Sequence, residues 1–312
     1  MSIIFAGGEP HEFEMVTGDM TTDDRTSFID PEYSRVALTT LSNTRTFKRS
    51  FTHSNEVYAV SYVRMSSTTN TNNAPLLTLG FVRLAGTGTA GELKAQRFDG
   101  TDWVDFGDPI SFSVAPTRWC IGTKKDAAGF AKVYKDGVEV ASWTGDTSAR
   151  DDTTELLFEG AGQLRFWSEI VIASHNLKDA RLKTLVPNSE GANTAWTGSL
   201  GDINVMDHSN DTFISSDTAG QKSTFGTLNL PSDSLEVSAV VVSGVFRRSD
   251  TGPQNIDALV RTGGLDYSKP VGTLSEDFET KTGMIWEANP ATSIGWTKAQ
   301  VDAIEIGVES GA

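Results

Sequence analysis

Four tryptophans, Trp103, Trp143, Trp167 and Trp196, are the side chains of this sequence with a chemistry suited to holding a ligand. An indole offers a flat apolar face on which the C–H face of a sugar ring stacks, and its N–H remains a hydrogen-bond donor. Core or interface packing accounts for each of them as well, so both readings stay open. Reactive centres are scarcer. The four histidines, His11, His53, His175 and His208, neither neighbour one another nor show metal-ligand spacing. The single cysteine, Cys120, follows Trp119 in an apolar stretch, which suits a small buried hydrophobe better than a nucleophile.

Carboxylates point the same way. Asp99, Asp102 and Asp105 share one turn, Asp146, Asp151 and Asp152 another, and Asp207, Asp211 and Asp217 a third. None has the glycine and terminal glutamate of a calcium-binding helix–loop–helix, and aspartate favours turns through its own backbone hydrogen bonds. A sandwich glycanase sets carboxylates at alternate positions of one strand so that they flank the bond to be cut. Residues 165–172 offer Glu169 alone, with Val171 and Ala173 where partners would stand. There is no Gly-x-Ser-x-Gly and no Gly-rich phosphate loop ending in Lys, and the GTGTAG run at 86–91 joins two strands instead of opening a helix. The expectation is a protein without enzymatic activity, metal or cofactor.

The elements that must position the tryptophans read as β throughout. FAKVYKDGVEVASW, residues 130–143, holds the clearest hairpin, because Asp136-Gly137 tolerates the positive φ angles of a two-residue turn. An unbroken register pairs Lys135 with Val138, Val133 with Val140 and Phe130 with Trp143. It places Ala131, Val133, Val138 and Val140 on one face, and Phe130, Tyr134, Ala141 and Trp143 on the other. Apolar residues on both faces suit a hairpin inside a sandwich.

Further strands are expected at 34–38, 45–51, 56–65, 76–84, 92–98, 103–106, 110–114, 118–122, 155–158 and 164–173, with an exposed loop at 66–73. Residues 1–33 are polar, Gly- and Asp-rich and read as an extended N-terminal arm with one short strand at Ile3 to Phe5, flexible at Gly7-Gly8. Residues 34–185 read as a sandwich of two antiparallel sheets, a first domain of lectin-like size. The pattern breaks at 184–189, and residues 186–312 read as a second small sandwich, with strands at 213–215, 221–228, 235–247, 256–262, 277–286 and 303–308. The 235–247 run, apolar or small on both faces, is expected at the centre of a sheet. Thr297 to Gln300 has capping-box spacing, which predicts a short helix. The fold class is all-β, two antiparallel jelly-roll-like β-sandwiches in tandem.

The chain of 312 residues carries a net charge of −15, unevenly shared. Residues 1–185 hold 19 basic and 24 acidic side chains, and residues 186–312 hold 7 and 17. Such a surface repels phosphate backbones, so nucleic acid is not expected as a partner. Apolar runs are far shorter than the roughly 18 residues of a membrane helix. The start has no basic region ahead of an apolar one, so a protein made in a reducing cytoplasm is expected.

The second half carries a family resemblance. WTGSLGDIN (196–204), DTFISSDTAGQKSTF (211–225), VSAVVVSGVFRRSDTGPQ (237–254), VRTGGLDYS (260–268) and WEANPATSIGWTKAQVDAIEIGVES (286–310) resemble a module of tailed-bacteriophage virion proteins. The FAGGE opening and VYKDGVEVASWTGDT resemble the concanavalin-like sandwich that precedes this module. The resemblance implies a structural component of the virion, on the tail (fibre, tip or baseplate) or decorating the head. It implies self-assembly with other virion proteins and copies of this chain, a trimer foremost, and no catalytic pattern. The alternative is a lectin-like module that contacts host surface glycans.

Overall fold

A computed structural model describes residues 2–17, 21–23, 30, 32–34, 37–40, 46–52, 55–159, 163–203, 211–233 and 236–311. The protein is all-β, and it divides into two compact units, Met1–Thr184 and Leu185–Ala312.

In the first unit the strands are β1 (Ile3–Gly7), β2 (Glu14–Thr17), β3 (Thr21–Asp23), β4 (Ala37–Thr40), β5 (Thr46–Ser50), β6 (Glu56–Met65), β7 (Pro75–Leu79) and β8 (Val82–Gly86). They continue with β9 (Glu92–Phe98), β10 (Trp103–Ser111), β11 (Thr117–Lys124), β12 (Gly129–Lys135), β13 (Val138–Gly145), β14 (Glu155–Glu159) and β15 (Arg165–Ala173). One antiparallel sheet runs β13-β12-β11-β6-β15-β4-β3, with β1 also paired to β15, and the other runs β10-β9-β8-β7-β14-β5-β2. Their facing sides share one apolar core, to which the first sheet gives Val57, Trp119, Ile121 and Val133 and the second Leu77, Leu79, Leu84 and Phe158. Expected residues 76–84 split in two: Gly80, at φ +53°, turns the chain so that Leu79 pairs with Val82.

Aromatic rings join the sheets. Phe47 stacks on Phe158 at 4.5 Å, Phe158 meets Trp167 edge-on at 4.9 Å, and Phe13 meets both Phe47 (5.4 Å) and Phe5 (5.5 Å) edge-on. Trp167 is wholly buried and its indole N–H donates to Thr40 Oγ1 at 3.1 Å. The segment expected as a flexible arm is therefore built into the sandwich over its described residues 2–17. Phe5 and Phe13 supply core that its polar composition hides, and Gly7 is required by close packing, since a Cβ there would stand 2.5 Å from Glu12 Oε2. That carboxylate accepts from the Gly8 and Glu9 amides at 2.8 Å. The 66–73 loop is tied back as well: buried Asn70 donates to the carbonyls of Thr89 and Glu92 and accepts from the Gly88 amide.

Two bulges reset the expected registers. In the organising hairpin Lys135 pairs with Val138 and Tyr134 with Glu139, but Val133 pairs with Ala141 and Ala131 with Trp143. The extra residue, Val140, reverses the face of everything beyond it, so Ala141 and Trp143 share the core side with Ala131 and Val133. In β15 the bulge falls at Glu169, a non-glycine residue at φ +53°, between the halves of the strand that pair with β4 and with β1.

The second unit contains β16 (Pro187–Thr194), β17 (Lys222–Thr227), β18 (Val240–Phe246), β19 (Asn255–Thr262), β20 (Leu265–Thr273), β21 (Glu279–Trp286), helix α1 (Lys298–Asp302) and β22 (Glu305–Gly311). A five-stranded sheet, β16-β17-β22-β19-β20, packs on the β18-β21 ribbon through Ala258, Val260, Val242, Met284, Trp286 and Trp296. The run expected at the centre of a sheet thus lies in this two-stranded ribbon, and its start, Leu235, lies outside the described residues. Its second apolar face serves the core between ribbon and sheet. β16 occupies residues that read as a break, and β20 was hidden by Gly263-Gly264 and Pro270. The expected capping box forms: Gln300 N donates to Thr297 Oγ1, and Thr297 N donates to Gln300 Oε1 at 2.9 Å.

An ion-pair clasp with a buried carboxylate ties Asp30 and Tyr33 to the outside of the first sheet. Arg181 bonds Glu169 twice (2.5 and 2.9 Å) and Asp30 once (2.8 Å), and its guanidinium lies 3.7 Å from the Tyr33 ring. Replacing Arg181 by Ala leaves the Glu169 carboxylate, its side chain 2% exposed, without a cation. Arg181→Ala is expected to destabilise the first unit by about 3 kcal/mol, read as a lower urea midpoint in tryptophan fluorescence. An unchanged midpoint would show that the clasp contributes nothing.

Candidate functional site

The structure sorts the four tryptophans by parity along their strands. Trp167 points into the core and is unavailable to any ligand. Trp143, turned inward by the Val140 bulge, packs against the core with the Arg97 guanidinium 4.3 Å from its ring. In the second unit, Trp196 spends its indole N–H on the Gln221 carbonyl at 3.0 Å. It adjoins a shallow depression of about 430 Å³ lined by Ala192–Ala195 and Gly220–Lys222. Trp103 alone of the four stands on the outer face of a sheet.

That face follows from cross-strand pairing. Thr78 on β7 pairs with Arg83 on β8, Arg83 with Gln96 on β9, and Gln96 with Asp105 on β10. Their strand neighbours Leu77, Leu79, Val82, Leu84, Ala95 and Phe106 point into the core, so these four point away from it. Trp103 and Phe98, paired and two residues along, continue the same row, with ring centroids 5.6 Å apart. The Arg83 guanidinium lies 4.2 Å from the Trp103 ring centroid, close enough for cation–π attraction.

Hydrogen bonds hold the polar part of the row rigid. Arg83 Nε donates to Gln96 Oε1 at 2.9 Å, and Gln96 Nε2 donates to Asp105 Oδ1 at 2.6 Å and to Asn73 Oδ1 at 3.1 Å. Lys94 Nζ closes on Asp105 Oδ2 at 3.2 Å, and Thr78 Oγ1 donates to Glu159 Oε2 at 3.1 Å. Gln96 is only 2% exposed beneath its longer neighbours. Burial pulls the Arg83 guanidinium below its ordinary value, opposed by the charges of Glu159 and Asp105. Burial pushes the Glu159 carboxyl up, opposed by the Thr78 hydrogen bond and by Arg83. The residues of this face come from five strands and a loop, and only the pairing register brings them together.

The two acids of the platform do not form a close pair. Glu159 on β14 and Asp105 on β10 are separated by β7, β8 and β9, so their backbones stand about 19 Å apart at four strand spacings. Opposed glycosidase carboxylates lie roughly 5 to 9.5 Å apart. Glu169, the other acid considered, is consumed by the Arg181 clasp and lifted from its strand register by the bulge. Among the described residues no group of three or more His, Cys, Asp or Glu is placed to hold a metal ion, and no helix is long and apolar enough to cross a membrane. His53, His208 and Asp207 lie outside the described residues.

No protein-family model matches the sequence, and neither does any curated protein sequence. Among solved structures, the cellulose-induced protein Cip1 is similar at TM-score 0.43 and 11% identity over 57% of this chain and 96% of that one. The binding domain of botulinum neurotoxin DC, in complex with rat synaptotagmin II, is similar at TM-score 0.41 and 12% identity over 94% of this chain and 79% of that one. An endo-β-1,4-glucuronan lyase from Trichoderma reesei follows at TM-score 0.36 and 13% identity over 55% and 94%. Likeness at this level carries neither a ligand nor a reaction over to this chain.

Cys120 lies on β11 and is 1% exposed, and burial pushes its thiol far above the ordinary range. A thiol reagent such as DTNB is expected to leave the folded protein untouched at pH 8 and to titrate one thiol in urea. Rapid labelling of the native chain would contradict the burial.

Proposed function

We propose that the first unit is a non-catalytic glycan-binding sandwich whose platform is the outer face of the seven-stranded sheet around Trp103. The observation that carries this reading is an aromatic plane, held by Arg83, beside a shelf of polar groups already locked in place by Gln96, Asp105, Lys94 and Asn73. A pyranose needs both parts. Its C–H face stacks on an indole, and its hydroxyls bond donors and acceptors that lose little entropy because they are already ordered.

The setting we propose is a tailed-phage virion, with the protein as a structural appendage on the tail or head that displays this platform toward host surface glycans and assembles with other virion proteins and with copies of itself, as a trimer foremost. Support comes from the second unit. The two segments that carry the phage resemblance most specifically, GGLDY and WEANPATSIGW, adjoin in space, a Cβ on Gly263 lying 3.4 Å from that of Ala291. They carry Leu265 and Ile294, exposed at 61% and 63%.

Trp103→Ala is expected to weaken glycan binding by the whole chain about tenfold or more, the equivalent of about 1.4 kcal/mol, while circular dichroism and melting stay unchanged. Affinity electrophoresis across a panel of host-surface polysaccharides reads this. Binding that survives the substitution intact would place the site elsewhere.

A further inference from the structure

Arg83 is the feature of the platform that its internal hydrogen bonds leave unfinished. Its Nε is bonded to Gln96, yet among the described residues no hydrogen bond uses its Nη1 or Nη2, and no carboxylate lies within ion-pair distance. Two other cations on the outer face of this sheet are paired, Lys94 with Asp105 at 3.2 Å and Lys48 with Glu155 at 3.3 Å and Glu14 at 3.6 Å. The two acids nearest Arg83 are engaged elsewhere, Asp105 by Gln96 and Lys94, and Glu159 by Thr78.

A guanidinium pinned at Nε and laid against an indole keeps its orientation, and its Nη groups form a planar fork of donors. That fork matches the two oxygens of a carboxylate in a bidentate pair, and a partly desolvated cation gains more from such a partner than a fully hydrated one does. Trp103 beside it offers the apolar face that a sugar ring requires, next to Phe98, which is itself packed against the core. We infer that the platform selects acidic glycans, with the sugar carboxylate held by the Nη1 and Nη2 groups of Arg83 and the ring lying along Trp103. The inference rests on the glycan-platform reading above and narrows it to one charge class.

The test uses the whole chain and three probes: polygalacturonate, a sialylated oligosaccharide, and carboxyl-reduced polygalacturonate as a neutral control of the same backbone. Calorimetry or affinity electrophoresis is expected to show binding to one of the carboxylated probes, at least about tenfold weaker binding to the reduced one, and weakening as salt rises. Whichever carboxylated probe binds distinguishes a uronate from a sialate. Arg83→Gln is expected to remove that preference, and Arg83→Lys, which keeps the charge without the fork, to restore only part of it. Equal binding of the acidic and reduced polymers, with Arg83→Gln indifferent, overturns the inference and leaves the platform standing. Should Arg83→Gln melt early, the wild-type contrast between the acidic and reduced polymers decides alone. Failure of all three probes, and of neutral polysaccharides with them, removes the platform and this inference together.

Discussion

The first unit depends on one column of rings that crosses from sheet to sheet. Trp167 and Phe5 enter it from one side and Phe47 and Phe158 from the other, with Phe13 wedged between them. Each edge-on or stacked pair adds about 0.5 to 1.5 kcal/mol beyond the apolar area it buries, and the rings also fix the spacing of the sheets. At the other end of the second sheet, Val82, Leu84, Ala95 and Phe106 fill the same core and give the outer face there a rigid floor. A polar row such as Arg83–Gln96–Asp105 keeps its geometry only on a floor of that kind.

Much of this was legible in the sequence where a local signal decides the structure. Asp136-Gly137 marks its turn, Thr297 with Gln300 marks its helix start, and alternation at 56–65 marks the central strand of the first sheet. The failures share a physical cause. A bulge adds one residue without a compositional mark, so Val140 and Glu169 reversed or displaced everything after them. Gly80 looked like one residue of a long strand and is a turn. Phe5 and Phe13 are two rings in a polar segment, and their weight appears only when strand β1 lies against β15, far along the chain.

The candidate site was legible to the same degree. Trp103 is visible as an aromatic in a strand, but nothing local says that Arg83 and Gln96 will stand beside it. Their adjacency depends on two successive cross-strand registers, each set by a turn whose length must be right. Trp167 and Trp143 looked equivalent to Trp103 in the sequence, and parity, one of them through a bulge, turned both toward the core.

The pairing of β1 with β15 bears on how the protein is made. Ile3 finds its partner at Ala173 and Gly7 at Ile170, so this segment waits for some 170 later residues before its ladder can close. During that interval Phe5 and Phe13 are exposed on a nascent chain that cannot yet shield them, and contacts of such long sequence separation are slow to form. Synthesis at a rate that outpaces closure leaves this segment in need of a chaperone, whereas the ribbon of the second unit, with β18 and β21 less than fifty residues apart, completes its pairing soon after it emerges.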